Sequence, residues 1–388
     1  MRTVESQLAD IRSRSLLRRL SQIDSPQQPL TSSGGCALVN FSSNDYLGLA
    51  ADPLLRNAAK AAIDQWGVGA GASRLISGTL PPHTQLERDL AAYKRTDAAL
   101  AFSTGYAAAL GALGALAGPD DVIILDKLSH ASLIDGARLS RATLRVFPHN
   151  HLGKLESHLR WARAEAPDSR IIVVTESVFS MDGDRAPIDE IVAIKNRYGA
   201  MLLLDEAHAI GVIGADGRGL ADKCGVAAMV DIQMGTLGKA LGSSGGYIAA
   251  SRPIIELLIN RARSFIYSTA PLPAAAAAAS AALAFLQTPA GRERQETLWQ
   301  RIADFTRDAP ASLLSSGPIQ SAIIPLILHE EDRAMAASQW LREKGFLIPA
   351  IRYPTVSRGA ARLRLTLSAT HTPTQVATLC SALAALTP

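Results

Sequence analysis

The sequence predicts an α/β fold built around a mainly parallel β-sheet. From about residue 52 to residue 270, helical and strand-like segments alternate along the chain. The strand-like segments are short apolar runs bounded by turn or polar residues, which is typical of strands buried on both faces of a parallel sheet. These runs are Val122–Leu125, Ile171–Thr175, Met201–Asp205 and Tyr247–Ala250.

The chain divides into three predicted parts, because 388 residues exceed what one hydrophobic core usually serves. Residues 1–51 are expected to form an N-terminal arm with a helix and a short strand. Residues 52–272 are expected to form the large α/β domain, and residues 273–388 a small α+β domain.

Helical periodicity predicts an amphipathic helix over residues 1–22, with apolar side chains near one side. These side chains are Leu8, Ile11, Leu16 and Leu20. A loop rich in Gly, Pro and Ser and a strand over Ala37–Phe41 complete the arm. In the large domain, the predicted helices include Pro53–Trp66, Gln85–Lys94 and Tyr106–Ala117.

An alanine-rich stretch, Ala274–Leu286, is predicted to be a buried helix that leads out of the large domain. It is too short to span a bilayer. Beyond it, the order of elements indicates an α+β unit. The elements are Ala322–Leu328 (strand), Arg333–Lys344 (helix), Leu363–Leu367 (strand) and Thr374–Leu386 (helix).

Composition argues against several classes of function. The formal net charge is +4, and no dense basic run is interleaved with aromatic residues, so no nucleic-acid partner is expected. Three cysteines lie far apart without a Cys-x-x-Cys or Cys/His cluster, so neither a disulfide framework nor a metal site is expected. The N-terminus lacks the apolar segment of a secretory signal. We therefore expect a soluble, cytoplasmic protein without a membrane segment.

Three segments carry polar and ionisable residues just past apolar strands. They are TESVFSMDGD (175–184), LLLDEAHAIGV (202–212) and GTLGKALGSSGG (235–246). Ligands of open α/β sheets bind at this carboxyl edge of the strands. The sequence therefore predicts a ligand site where these segments meet.

Lys239 lies among three glycines, and glycines let a ligand approach the backbone closely. A lysine in a tight, partly desolvated turn can form an imine, although an exposed loop lysine is the commoner case. Asp205 ends a predicted strand, where it could keep a pyridinium nitrogen protonated or simply cap a turn. His208 follows Asp205 by one turn, and this spacing favours a shared site with Lys239.

The segment from Phe102 to Tyr106 runs from a strand into a predicted helix. The first amide groups of a helix bind phosphate, so Gly105 and Tyr106 are candidate phosphate ligands. The same junction could also be only a helix cap. His130 follows the run Val122–Leu125 and could stack on a planar cofactor or have a structural role.

Together these segments resemble the α-oxoamine synthases, fold-type-I pyridoxal-phosphate enzymes that condense an amino acid with an acyl-CoA. The resemblance covers nearly the whole chain through seven ordered motifs. They are NFSSNDYLGL (40–49), STGYAAA (103–109), LSHASLIDGAR (128–138), TESVFSMDGD, LDEAHAIGVIG, GTLGKALG and AIRYPTV (350–356). The resemblance implies a large, mainly parallel seven-stranded sheet, a smaller C-terminal domain and pyridoxal 5'-phosphate as cofactor.

The resemblance also implies a cofactor site. Lys239 would carry the cofactor as a Schiff base and then act as a base, while Asp205 would pair with the ring nitrogen. The other implied contacts are His130 stacked on the ring, Ser180 and His208 by the phenolic oxygen, Gly105, Tyr106 and Thr236 at the phosphate, and Ser268 or Thr269 reaching a neighbouring subunit's phosphate. The implied catalytic residues are Lys239, His130, Asp205 and His208.

Substrate contacts are implied at Arg18, Asn44, His130, Arg352 and Thr355. Arg352 would clamp the amino-acid carboxylate through a bidentate fork. Arg19 adjoins Arg18, so it stays open which of the two arginines meets substrate. The resemblance further implies a homodimer with its active sites at the interface.

Within the family, AIRYPTV followed by ARLRLTLSATHT most resembles the branch that condenses L-alanine with a pimeloyl thioester in biotin synthesis. The expected donor is pimeloyl-CoA or a pimeloyl carrier protein, and carbon dioxide and the free thiol are released. Two departures leave the acyl-chain preference open. Tyr353 stands where a second proline is common, and Ala209-Ile210 where Gly-Thr is usual.

Three alternatives remain. The first is another pair of substrates in the same family: glycine with acetyl-CoA, glycine with succinyl-CoA, or serine with a long acyl-CoA. The second is a nicotinamide dehydrogenase, because GVGAGA (67–72) fits G-x-G-x-x-A, although it follows a helical stretch rather than a strand. The third is a non-catalytic protein on the same fold, which the intact set of Lys239, Asp205, His208 and Arg352 disfavours.

Overall fold

The computed structural model describes residues 3–311 and 317–386. Its strands are β1 (Leu30–Ser33), β2 (Cys36–Asn40), β3 (Ala98–Phe102), β4 (Val122–Asp126), β5 (Thr143–Phe147), β6 (Ile171–Glu176), β7 (Met201–Asp205), β8 (Ile232–Thr236), β9 (Gly246–Ala250), β10 (Ile323–His329), β11 (Phe346–Leu347), β12 (Ala350–Ile351) and β13 (Ala361–Thr366).

The described residues also form α-helices. They are α1 (Val4–Ser13), α2 (Pro53–Trp66), α3 (Pro81–Lys94), α4 (Gly105–Leu116), α5 (Ala131–Ser140), α6 (Leu152–Glu165), α7 (Ile188–Arg197), α8 (Leu220–Lys223), α9 (Arg252–Arg261), α10 (Arg263–Ile266), α11 (Pro273–Leu286), α12 (Pro289–Asp308), α13 (Glu331–Glu343) and α14 (Pro373–Ala385).

Seven strands form the large sheet in the order β3-β9-β8-β7-β6-β4-β5. Strand β9 is antiparallel to both of its neighbours, and all other pairs are parallel. Strands β4, β6 and β9 are buried along their whole length. This explains their continuous apolar runs and confirms the predicted mainly parallel, seven-stranded sheet.

Local signals fix where the helices begin. Helix α2 starts with Pro53 after Asp52, whose side chain accepts a hydrogen bond from the Leu54 amide at 2.9 Å. Helix α4 starts after Thr104, whose hydroxyl accepts from the Ala107 amide at 3.0 Å. Such caps satisfy amide groups that have no partner within the helix. They place the start of α4 directly after β3, at one edge of the sheet.

The chain forms two compact units rather than the three predicted parts. The α/β unit comprises Leu49–Ser180 and Asp184–Gln295, and the second unit comprises the described residues of Met1–Gly48, Met181–Gly183 and Glu296–Pro388. The alanine-rich α11 packs against α2 and α3, so it lies within the α/β unit instead of opening the C-terminal domain. Its small side chains allow this close packing between helices.

The predicted N-terminal arm is part of the second unit. Strand β2 pairs with β1 on one side and runs parallel to β11 on the other, with Val39 opposite Phe346. Strands β10, β13 and β12 form a second three-stranded sheet. The Phe41 ring stacks on His371 with centroids 4.1 Å apart. Contacts distant in sequence therefore join the arm to the C-terminal residues, which length and composition could not reveal.

The predicted helix over residues 1–22 is shorter than expected. Helix α1 ends at Ser13, Ser15 has a left-handed φ of 56°, and the chain up to β1 has no regular structure. Within the described range Val4–Ser13 no side chain is buried, and Leu20 beyond it is fully exposed. An apolar stripe without a packing surface does not stabilise further helical turns.

Strands β5 and β8 were not among the predicted runs. Strand β5 is an edge strand of the sheet whose side chains are mostly exposed, so its sequence TLRVF is not continuously apolar. Strand β8 is buried but has the sequence IQMGT, with a polar residue and a glycine. The other predicted boundaries differ from the observed ones by a few residues.

Three further observations concern the described residues only. Cys36, Cys224 and Cys380 are free thiols. Within residues 3–311 and 317–386, no group of three or more His, Cys, Asp or Glu side chains is arranged to hold a metal ion. Over the same ranges, no helix has both the length and the hydropathy needed to cross a bilayer.

Candidate active site

The Lys239 amine and the His208 ring meet at the carboxyl edge of the large sheet. Their Nζ and Nε2 atoms are 2.9 Å apart. His208 lies in the turn after β7, and Lys239 follows the neighbouring strand β8. The two segments therefore meet as predicted, with a lysine amine in hydrogen-bond contact with an imidazole.

Asp205 ends β7 and is buried. Its Oδ1 atom accepts a hydrogen bond from the Ala207 amide at 2.8 Å. Burial raises the pKa of Asp205, whereas the positive charge of Lys239 opposes that rise. Because a charge acts on this pKa only from nearby, Asp205 and Lys239 lie in one electrostatic environment.

His130 is the N-cap residue of α5, and its ring belongs to the same environment. Its Nδ1 atom accepts a hydrogen bond from the Ser132 amide at 3.2 Å, which leaves Nε2 as the protonated nitrogen of a neutral ring. Burial lowers the pKa of His130, Asp205 opposes that shift and Lys239 adds to it. A neutral, flat ring is suited to stacking on a planar group.

Glu176 is a site residue that sequence reasoning missed. It ends β6, lies opposite Asp205 in the parallel register, and is buried. One of its carboxylate oxygens accepts a hydrogen bond from the His130 amide. Burial raises the pKa of Glu176 well above its usual value, and the charge of Asp205 adds to the rise. Its position after the apolar run Ile171–Thr175 was the available signal.

Gly105 and Thr236 lie side by side at the start of α4. A β-carbon built on Gly105 would be 3.5 Å from the Thr236 β-carbon. The Thr236 hydroxyl donates to the Gly245 carbonyl at 2.9 Å and accepts from the Gly238 amide at 3.2 Å. The predicted phosphate ligands Thr236 and Gly105 are thus adjacent at the N-terminus of α4, and helix N-termini favour phosphate binding.

Tyr106 stands beside His130. The two rings are perpendicular, with centroids 6.5 Å apart. The Tyr106 hydroxyl is bonded to the Asp135 carboxylate, and this hydrogen bond raises the pKa of Tyr106. The Tyr106 side chain itself is exposed.

Ser180, Ser268 and Thr269 occupy loops of the same unit. Ser180 is half-buried in the turn after β6. Thr269 forms an isolated β-bridge with Ser73, next to a hydrogen bond between the Ala270 amide and the Ala72 carbonyl at 3.0 Å. The predicted contact of Ser268 or Thr269 concerns a second copy of the chain and stays a prediction.

The predicted substrate residues Arg18, Arg352 and Thr355 come together in the second unit. Arg18 Nη2 donates to Thr355 Oγ1 at 2.9 Å, and the Thr355 amide donates to the Arg352 carbonyl at 3.0 Å. Arg352 also donates to the Ser15 carbonyl. Of the two adjacent arginines, Arg18 is therefore the one that is hydrogen-bonded to the segment containing Arg352 and Thr355.

Asn44 has other partners in that unit. Its Oδ1 atom accepts hydrogen bonds from Arg364 Nη2 at 3.1 Å and from the Tyr46 hydroxyl at 3.2 Å. Both contacts are local to the segment that follows β2 and to β13. The predicted role of Asn44 toward substrate stays a prediction.

The proposed dinucleotide motif lacks its structural context. Residues 67–72 follow α2, and Gly67 is the residue that ends this helix, with φ 76°. A nicotinamide site of this kind requires a strand before the glycines and a helix after them. The nicotinamide dehydrogenase alternative therefore has no support in the fold.

Comparisons with known proteins identify the family of this chain. Residues 37–383 match the family model described as aminotransferase class I and II. An 8-amino-7-oxononanoate synthase of Anaeromyxobacter dehalogenans strain 2CP-1 is 47% identical over 385 residues, which cover 99% of this chain and 95% of that protein. The enzyme of the same description from Geobacter sulfurreducens is 45% identical, with 95% and 94% of the two chains covered.

A solved structure gives an independent comparison. Serine palmitoyltransferase from S. paucimobilis, with a bound PLP-myriocin aldimine, superposes with a TM-score of 0.93 at 30% sequence identity. The match covers 99% of this chain and 98% of that one. The likeness therefore extends over both compact units.

Proposed function

The chain belongs to the aminotransferase class I and II family and, within it, to the 8-amino-7-oxononanoate synthases, and we propose that it makes 8-amino-7-oxononanoate for biotin synthesis. The reaction joins L-alanine to a pimeloyl thioester and uses pyridoxal 5'-phosphate. A carbon–carbon bond forms at the alanine Cα, the thioester carbon–sulfur bond breaks, and carbon dioxide leaves. The observation that carries the proposal is the contact between Lys239 and His208 beside the buried Asp205.

The residues present fit the cofactor. An amine that can bond an aldehyde, a buried carboxylate for a ring nitrogen, and a helix N-terminus for a phosphate occur on neighbouring strands of one sheet edge. Lys239 would hold the cofactor through its amine, Asp205 at the ring nitrogen and His130 over the ring face. The remaining ligands would be Gly105, Tyr106 and Thr236 at the phosphate, with Ser180 and His208 near the phenolic oxygen.

Bound pyridoxal phosphate supplies an electron sink for the electron pair left at the substrate Cα. Lys239 Nζ then serves as the base that takes the Cα proton. The His208 ring nitrogen, 2.9 Å from Nζ, can share that proton and orient the amine. The reaction needs a base that alternates between its neutral and charged forms. The imidazole of His208 can hydrogen-bond to either form of the Lys239 amine.

Asp205 would pair with the ring nitrogen of this electron sink. The neighbouring charge of Lys239 favours its ionised form against the effect of burial. His130 remains neutral because burial lowers its pKa, so its ring can lie against a cationic aromatic group without charge repulsion. Glu176 holds the backbone of His130 at the start of α5. These groups are fixed before substrate arrives, which reduces the reorganisation required during reaction.

Arg352 is proposed to bind the alanine carboxylate, with Arg18 and Thr355 beside it. The support is the hydrogen-bonded chain from Arg18 to Thr355 to the Arg352 backbone. A guanidinium offers two parallel N–H donors to a carboxylate. Asn44 is retained as a candidate substrate contact on the resemblance alone.

A donor-by-amino-acid matrix tests the function. Purified protein with added cofactor would be assayed for thiol release with alanine, glycine and serine against pimeloyl-CoA, pimeloyl carrier protein, acetyl-CoA and succinyl-CoA. We expect turnover with alanine and a pimeloyl donor, and Lys239→Ala is expected to lose both the imine absorbance and the turnover. A Lys239→Ala protein with both intact would refute the assignment.

The structural likeness to a serine palmitoyltransferase favours one second candidate, serine with palmitoyl-CoA. That enzyme superposes with a TM-score of 0.93, yet its sequence identity is 30%, against 47% for the 8-amino-7-oxononanoate synthase. Since a shared fold does not fix the substrate, the sequence comparison has more weight. Adding serine with palmitoyl-CoA to the matrix distinguishes the two.

We also propose that the enzyme is a cytoplasmic homodimer with its sites at the interface. The α/β unit exposes large apolar side chains: Val68 is 68%, Ile76 80% and Tyr267 72% exposed. An apolar surface of this kind is typical of an interface. Light scattering that gives the mass of one chain, together with full activity, would contradict the dimer and the contact of Ser268 or Thr269 with a second subunit.

A further inference from the structure

His149 makes two charged contacts outside the residues assigned to the site. Its Nδ1 atom is 3.1 Å from Asp126 Oδ1, and its Nε2 atom is 2.7 Å from Asp184 Oδ2. A carboxylate oxygen accepts hydrogen bonds, so each ring nitrogen must carry a proton to satisfy both contacts. His149 is therefore an imidazolium clamped between two carboxylates.

The first carboxylate organises the turn that leads to His130. Asp126 ends β4 and is buried, and its Oδ1 atom also accepts from the Leu128 amide at 2.8 Å. Its carbonyl accepts from the Ser129 amide at 3.1 Å. His130 follows directly as the N-cap residue of α5. The position of the Asp126 side chain thus sets the path of the backbone into His130.

The second carboxylate and the His149 ring hold the turn that carries Ser180. The Asp184 carbonyl accepts from the Phe179 amide at 3.1 Å, which closes this turn. The Phe179 ring meets the His149 ring edge-on, with centroids 4.3 Å apart. Ser180 is the next residue after Phe179, so movement of His149 would move Ser180.

Asn150 reinforces the arrangement. Its amide donates to Asp126 Oδ2 at 2.9 Å, and its side-chain Nδ2 donates to Asp184 Oδ2 and to the Arg185 carbonyl, both at 3.2 Å. Asn150 adopts a left-handed φ of 54°, which asparagine tolerates better than most residues. One dipeptide therefore joins both carboxylates through its two side chains and its backbone.

We infer that His149 is a positioning residue of the cofactor site, which as an imidazolium bound by Asp126 and Asp184 fixes the two turns that present His130 and Ser180. The inference rests on the proposed function, because it assumes that both residues face the cofactor. Burial alone lowers the pKa of His149, but the hydrogen bonds and charges of Asp126 and Asp184 outweigh burial and raise this pKa to about 10. The clamp is therefore charged at neutral pH and weakens as the pH rises through that value.

The test compares His149→Gln with His158→Gln, a matched change of a histidine on α6 that lies outside the clamp. Pyridoxal 5'-phosphate is titrated into each apoprotein, and its dissociation constant and induced circular dichroism are measured, followed by kcat and KM. We expect His149→Gln to remain folded, to bind the cofactor about tenfold more weakly with an altered dichroism band, and to lose kcat about tenfold. His158→Gln should match the wild type.

The cofactor dissociation constants of His149→Gln and the wild type are also compared as a function of pH. If His149 had only a structural role, the ratio of the two constants would not depend on pH. We expect the ratio to fall toward one between pH 8 and pH 10.5, because only the wild type loses the imidazolium proton as the pH passes about 10. The charged groups that face the ring are the carboxylates of Asp126 and Asp184.

Two outcomes would overturn the inference. One is a His149→Gln protein whose cofactor affinity and dichroism equal those of the wild type, even if its melting temperature falls. If this variant does not fold, Asp184→Asn replaces it, since that side chain is 31% exposed, and unchanged cofactor binding there would equally contradict the inference. A wild type that forms no imine with the cofactor would instead refute the proposed function itself.

Discussion

Lys94 donates a hydrogen bond to Glu206 at 2.5 Å, and both side chains are almost fully buried. Lys94 also donates to the Arg218 carbonyl, and Glu206 accepts from the Ala221 amide at 3.0 Å. Glu206 lies directly after Asp205 and two residues before His208. This buried ion pair therefore anchors the turn that carries two of the candidate catalytic residues.

Removing the cation of this pair should strongly destabilise the folded protein. In Lys94→Met, Glu206 would be left as a buried charge without its ion-pair partner, and we expect the free energy of unfolding to fall by about 3–5 kcal/mol. Denaturant titration of the apoprotein measures the change. The control is Arg14→Ala, which breaks the exposed pair with Asp10 and should cost no more than about 0.5 kcal/mol. Equal effects of the two variants would show that the buried pair stabilises the fold no more than the exposed pair does.

His371 should make the stability of the protein sensitive to acid. Its ring is buried, Nδ1 accepts from the Ser368 amide at 2.9 Å, and Nε2 contacts the Asn40 carbonyl at 3.0 Å. Burial lowers the pKa of His371 to about 4. The unfolded chain takes up the proton first, so the stabilisation is complete above about pH 6.5 and is lost as the pH falls toward 4.

At pH 5 this loss amounts to roughly 2 kcal/mol relative to pH 7.5, because the unfolded chain is protonated there and the folded ring is not. The measurement is the difference in unfolding free energy between the two pH values for the wild type and for His371→Gln. The variant should lose less stability on acidification by about that amount. His329→Gln, a change at an exposed histidine, is the control and should keep the wild-type pH dependence.

Two glycines of helix α4 should respond in opposite directions to the same substitution. A β-carbon on Gly111 would come within 2.6 Å of the Ser264 hydroxyl and 2.8 Å of the Phe102 ring, whereas one on Gly114 would meet nothing within 4 Å. We expect Gly111→Ala to lower the free energy of unfolding by about 1–3 kcal/mol through overpacking. Gly114→Ala should raise it by about 0.5–1 kcal/mol, because alanine favours a helix more than glycine does. Thermal unfolding of both variants decides, and a stabilising Gly111→Ala would contradict the packing.

The sequence predicted the strands whose residues are almost all apolar. Strands β4, β6 and β7 are almost wholly apolar because both of their faces are covered, so their positions could be read directly. Strand β8 could not be found in this way, because Gly235 lies against the Tyr247 ring, 2.6 Å from where its β-carbon would stand. The contact with Tyr247 on the neighbouring strand requires a glycine at position 235, and the residues next to Gly235 in sequence do not indicate this contact.

The same distinction applies to the site. Lys239, Asp205 and His208 stand at strand ends within motifs, so their meeting could be predicted. His149 could not be recognised, because its partners Asp126 and Asp184 lie 23 and 35 residues away. Its role depends on two carboxylates from different loops, which only the folded sheet brings together.

A hydrogen bond to Thr355 distinguishes Arg18 from the adjacent Arg19. Thr355 accepts a hydrogen bond from Arg18 at 2.9 Å, and its amide is bonded to the Arg352 carbonyl. Arg18→Ala should therefore raise the KM for a substrate about tenfold, with the cofactor absorbance unchanged, because a hydrogen bond to a charged group contributes about 1.5–3 kcal/mol. Arg19→Ala is the matched control and should behave like the wild type in the same steady-state assay. A larger effect of Arg19→Ala would mean that the neighbouring arginine is the one that meets substrate, and that the bond between Arg18 and Thr355 only anchors the loop.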